Sequence, residues 1–133
     1  MPGHKDWLKK SYGELKAAKL LIQDKEILDI AAFHTHQCAE KALKGYLMFK
    51  HMQIPKTHSL EELLMICFKA NQAFIELLHD VIMIDPYVIN TRYPDDHFSI
   101  GEKEILKAID HAERIFKFVE AHTSKQKVMI DVT

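Results

Sequence analysis

Arg92-Tyr93-Pro94-Asp95-Asp96-His97 sets a guanidinium, an imidazole and an aromatic ring on one short segment between helical patterns. Arginine can hold a phosphate bidentately, histidine moves a proton near neutral pH, and tyrosine offers a face on which a base can stack. These types suit a phosphate or nucleic-acid site. Asp95 and Asp96 argue the other way, because they put negative charge where a phosphate would approach. Arg92 could equally tie the loop to Asp95 or to Glu40, with His97 at the surface. Spacing does not decide, since five residues of ideal helix turn through about 140°. Pro94 disfavours the helical region for Tyr93, so Arg92 is expected on an extended loop.

A second set of candidates shares one long helical pattern. His34/Cys38 and His36/Glu40 are each four apart, so each pair lies on one face and could share a metal. The two pairs point in different directions, and solvated or locally bonded side chains are the plainer reading. Only Glu76-Leu77-Leu78-His79 fits the Glu-x-x-His motif, of which a di-iron bundle needs two. The sequence holds no His-Glu-x-x-His, no Cys-x-x-Cys and no glycine-rich phosphate loop. No metal and no cofactor is expected. Gln37, Glu40, Lys41 and Lys44 read as a solvated polar stripe opposite the alanines, with Glu40 and Lys44 supporting the helix as an i,i+4 pair. Lys56-Thr57-His58-Ser59 gathers donors at a helix start, which suits an anion and a plain helix N-terminus alike.

The elements that must position these groups are helices. Leu8, Tyr12, Leu15, Ala18 and Ile22 form one stripe over about residues 5–23, with lysines on the other face. A second helix over about 27–50 turns Ala32, Ala39, Ala42, Leu43, Tyr46 and Leu47 inward, and Met52-Gln53-Ile54-Pro55 ends it. Ser59 and Glu62 make a capping box for a third helix carrying Leu60, Leu63, Leu64 and Cys67. Phe74, Leu77, Leu78, Val81 and Ile82 predict a short fourth helix that ends before Asp85-Pro86. Ser99 and Glu102 offer a second capping box for a fifth, reaching about His122. The expectation is an all-α, up-and-down bundle of four to five helices over residues 1–123, followed by a C-terminal tail, 124–133.

At 133 residues the chain can bury a core without disulfides or metal. Four glycines and four prolines argue against a turn-rich β protein. A net charge of −1 does not suit a protein that coats nucleic acid indiscriminately, although local basic patches are compatible with it. Cys38 and Cys67 fall inside helical apolar patterns and read as buried, reduced thiols. No apolar run approaches the roughly 20 residues of a membrane span, and no secretory h-region opens the chain. A soluble, cytoplasmic protein is expected.

Three segments carry a resemblance. Phe33 to Leu47, with Gln37-Cys38-Ala39-Glu40-Lys41-Ala42-Leu43-Lys44 at its centre, resembles the long second helix of the HEPN domain family. Lys56-Thr57-His58-Ser59-Leu60 is similar to the Thr-His-Ser/Asp-Leu segment that follows it there. Tyr87 and Thr91-Arg92-Tyr93-Pro94 resemble the family's Tyr…Arg-Tyr-Pro segment before the last helix. The resemblance implies a helical bundle that dimerises, often beside a separate minimal nucleotidyltransferase. It also implies binding of a nucleotide or single-stranded RNA and, in many members, metal-independent ribonuclease activity through an Arg-x(4–6)-His motif, some members being toxins of a toxin–antitoxin pair. Arg92 and His97 meet that spacing as the catalytic candidates, with Tyr93, Lys41, Lys44 and His58 as nucleotide- or RNA-binding candidates. Tyr93 departs from the active pattern, which favours a polar residue after the arginine. A non-catalytic interaction module that partners the transferase is the alternative.

Overall fold

A computed structural model describes residues 2–88 and 99–124 of the chain. Arg92, Tyr93, Pro94, Asp95, Asp96 and His97 lie outside the described residues, as does the tail from residue 125 onward. Among the described residues, five α-helices follow one another: α1 (His4–Leu21), α2 (Leu28–Phe49), α3 (Leu60–Ala70), α4 (Leu78–Ile84) and α5 (Glu102–His122). Short 3-10 turns at Lys25–Ile27, Gln72–Leu77 and Asp85–Val88 join them, and no strand occurs among the described residues. The all-α bundle expected from the periodicity is the observed architecture.

α2 is the axis of the bundle. α1 packs along it most extensively, α5 next, and α3, α4 and the Asp85–Val88 turn also touch it. Gly45 permits the close crossing with α1, because a Cβ there would stand 3.0 Å from Trp7 Cβ. That atom is fixed to the α1 backbone and cannot swing aside. Leu43, Leu47, Leu60, Leu63, Leu64, Phe74, Val81, Ile105 and Ile115 fill the core around α2. Tyr46, Phe74 and Phe118 join them in a chain of ring contacts at 4.3 and 4.9 Å.

Local chemistry sets the helix ends, sometimes differently from expectation. α2 stops at Lys50–His51, before Pro55 can act. The Met52 amide donates to the Leu47 carbonyl at 2.9 Å and the His51 amide to Met48 at 3.0 Å, with His51 left-handed at φ 58°. This is the Schellman arrangement, made here without glycine. Ser59 caps α3 as predicted, its hydroxyl accepting from the Glu62 amide at 3.2 Å. The Glu62 carboxylate, however, takes the Thr57 hydroxyl at 2.7 Å. The second expected box does not form: α5 starts after Gly101, with no side-chain cap. The predicted fourth helix divides into the Gln72–Leu77 turn and α4. Tyr12 is also displaced from expectation; it is 47% exposed on the shoulder of α1 rather than in its buried stripe.

Candidate functional site

The expected solvated stripe on α2 is not one. Glu40 and Lys44 are both buried, because α2 has neighbours nearly all round it. Lys44 Nζ donates to Glu40 Oε2 at 2.8 Å, and His58 Nδ1 approaches the same oxygen at 3.1 Å from the segment before α3. Burial pushes the Glu40 carboxyl up, but the hydrogen bond and charge of Lys44, seconded by His58, outweigh it and hold the group below its ordinary value. Both Glu40 oxygens lie within reach of donors among the described residues, and the expected tie from Arg92 lies outside them. The imidazole of His58 is largely exposed.

One turn earlier on α2, His36 is wholly buried between two carboxylates. Its Nδ1 lies 3.8 Å from Glu40 Oε1 and its Nε2 lies 3.4 Å from Asp85 Oδ1. Neither nitrogen completes a hydrogen bond among the described residues. Burial lowers its affinity for a proton, against the opposing pull of Glu40 and Asp85. A neutral imidazole carries a single N–H, so one of the two carboxylates always faces a lone pair. Of the plainer reading for the His36/Glu40 pair, solvation fails because both are buried, and Glu40 is instead bonded locally to Lys44 and His58.

Asp85 does more than face His36. Its carboxylate accepts from the Leu60 amide at 2.9 Å and the Glu61 amide at 3.3 Å. With Ser59 on Glu62, the first three amides of α3 are taken by the protein's own groups. The helix start before Leu60 is thus an internally capped terminus rather than an open anion cradle.

Lys41 does not join Lys44 and His58. It pairs with Glu14 of α1, which also contacts His34 Nδ1 at 2.5 Å. Burial raises the Glu14 carboxyl, and the bonds and charges of Lys41 and His34 bring it below its ordinary value. Cys38 turns to Ser11, whose hydroxyl donates to the Cys38 carbonyl at 2.7 Å. His34 and Cys38 thus serve different partners. No group of three or more His, Cys, Asp or Glu fit to hold a metal occurs among the described residues. Both thiols are buried, free, and pushed up to about 12 by that burial.

One polar cluster escaped the sequence reading. Buried Asp80 on α4 accepts from His111 Nδ1 at 2.7 Å and from Arg114 Nε at 2.8 Å, both on α5. The His79 ring meets His111 edge-on, with centroids 5.4 Å apart. The available signal was a carboxylate on the buried side of the α4 pattern, between Leu77 and Val81.

The family model for the HEPN domain matches residues 4–122, nearly the whole chain. The chain belongs to the HEPN domain family. The solved structure of an archaeal HEPN homologue is similar to it, with 26% identity and a TM-score of 0.73, covering 93% of this chain and 100% of that one. A crystal structure of a protein from Thermus thermophilus is also similar, at 29% identity and a TM-score of 0.74, over 91% of this chain and 98% of that one. No curated protein matches the sequence significantly. Among the described residues, no helix of this HEPN chain is long and apolar enough to cross a membrane.

Proposed function

We propose that this HEPN protein is a cytoplasmic nucleotide- or RNA-binding protein that acts, as a homodimer, as a metal-independent endoribonuclease. The observation that carries the reading is family membership over residues 4–122 together with Arg92-x4-His97 in the sequence. Arg92 stabilises charge on the phosphate under attack, and His97 moves the proton of the ribose 2′-hydroxyl. Tyr93 supplies a stacking face. His58, exposed beside Glu40, can approach an anion directly, whereas Lys44 could do so only by exchanging Glu40 for it, and Lys41 only by leaving Glu14. A minimal nucleotidyltransferase is the proposed partner, with the nuclease as the toxin of the pair.

The test is cleavage of a labelled single-stranded RNA by purified protein in EDTA. Cutting is expected, and Arg92→Ala and His97→Ala are each expected to abolish it. Cutting that survives both substitutions refutes the assignment. The second reading, a non-catalytic interaction module, draws support from Ile75, Ile82 and Met83, three exposed apolar side chains on and just before α4. A wild-type protein that never cuts RNA but co-purifies with a transferase would establish it.

A further inference from the structure

The charge of this nearly neutral chain is unevenly placed. Five of its 18 Lys and Arg but only two of its 19 Asp and Glu lie on α1, so α1 carries +3 and the remainder −4. Lys5, Lys9, Tyr12, Lys16 and Lys19 recur at alternating four- and three-residue steps, which keeps them within about 40° of one line down the helix. All five are exposed. Lys19 pairs with Glu113 at 3.2 Å, whereas Lys5, Lys9 and Lys16 have no carboxylate partner among the described residues. Like charges at these spacings repel one another by a few tenths of a kcal/mol each, and among the described residues only the Lys19–Glu113 pair relieves it.

Tyr12 stands in the middle of the lysines. Its ring rests near Phe116, at 5.5 Å between centroids, and Lys16 Nζ lies 5.2 Å from its centre. Beside the strip runs an open groove lined by Asp6, Lys9, Lys10, Gly13 and Glu14, where a Cβ on Gly13 would meet nothing within 4 Å. The strip is roughly 21 Å long at the rise of an α-helix. A positively charged track with an aromatic platform is the arrangement that holds single-stranded nucleic acid, the lysines following the backbone and the ring stacking a base. A helix lying on a membrane would instead turn its apolar face outward, and on α1 that face, with Leu15 and Ala18, is spent on the core.

We propose that Lys5, Lys9, Tyr12 and Lys16 form a docking track for single-stranded RNA, additional to the Arg92 segment. The choice of RNA over another polyanion rests on the function proposed above. The track holds the strand and has no part in the chemistry of cleavage.

The experiment is fluorescence anisotropy of labelled oligouridine on the full chain over a series of NaCl concentrations. Lys5→Gln/Lys9→Gln/Lys16→Gln is compared with Lys69→Gln/Lys103→Gln/Lys107→Gln, which removes the same charge from exposed positions elsewhere. Each single-strand phosphate contact contributes about 0.7 to the salt slope, so the α1 variant should lose about 2 from it and bind at least about tenfold more weakly at low salt. The control should bind within about twofold of wild type. Tyr12→Ala should weaken binding about tenfold and leave the salt slope unchanged. Equal losses in the two triple variants would overturn the track while leaving the nuclease reading intact. Arg92→Ala protein that binds normally but does not cut would support both. Strip-dependent binding of anionic vesicles or an acidic protein, with none of RNA, would overturn RNA as the occupant.

Discussion

Replacing Glu40 with leucine should strand the Lys44 ammonium in the interior. Lys44 meets solvent over only 8% of its surface, and Glu40 is its one carboxylate partner among the described residues. Breaking a buried pair from one side costs about 3–5 kcal/mol, because the remaining charge is left uncompensated. Unfolding entropy scales with length at about 2.1 cal/mol/K per residue, which for this chain converts the loss into a fall in Tm of about 10–18 °C. Removing both charges in Glu40→Leu/Lys44→Met should return the protein to within about 2 kcal/mol of wild type, since a well-packed apolar pair replaces a costly ionic one. His58, whose side chain is 71% exposed on the other side of Glu40, should matter far less. Urea denaturation followed by circular dichroism at neutral pH measures all three proteins. A loss below about 1 kcal/mol for Glu40→Leu, or a double variant no better than the single, would refute the buried-pair reasoning.

His36 makes a pH prediction of definite sign. Burial holds its folded-state proton affinity below the ordinary 6.5, so the unfolded chain takes up a proton that the folded chain refuses. Stability should therefore fall as pH drops through 6.5 toward the folded value, and His36→Gln should flatten that decline between about pH 7.5 and 5.5 in urea melts. Cys38 and Cys67, buried with thiols pushed to about 12, should resist Ellman's reagent in the native protein and react fully in denaturant. His51 holds a left-handed conformation that strains any residue with a Cβ. His51→Gly should stabilise the protein by about 0.5 kcal/mol, the relieved strain being partly offset by glycine's greater unfolded-state entropy; an unchanged or lower Tm would contradict this.

Helix periodicity made most of the fold legible. α2 was expected over about 27–50 and occupies Leu28–Phe49, because its apolar spacing is a local property of the chain. What periodicity does not report is how many neighbours a helix acquires. The Gln37–Lys44 stripe looked solvated because its polar spacing is ordinary, yet α3 and the Asp85–Val88 turn cover part of it and bury Glu40 and Lys44. Long-range polar pairing is equally silent in sequence: Asp80 and His111 are 31 residues apart, and neither spacing nor composition links them. Capping was half readable. Ser59 met its Glu62 amide, whereas at α5 the chain enters through Gly101 and leaves the Ser99–Glu102 signal unused. Of the candidate site residues, Lys41, Lys44 and His58 are placed among their partners, while Arg92, Tyr93 and His97 fall outside the described residues.

Asp85 occupies a junction: one carboxylate closes the front of α3 and abuts His36, seven positions ahead of Arg92 in the chain. The amides of Leu60 and Glu61 consequently act as built-in reporters. Whatever draws that carboxylate away uncovers them, and their deuterium uptake would register an event whose cause lies elsewhere in the molecule.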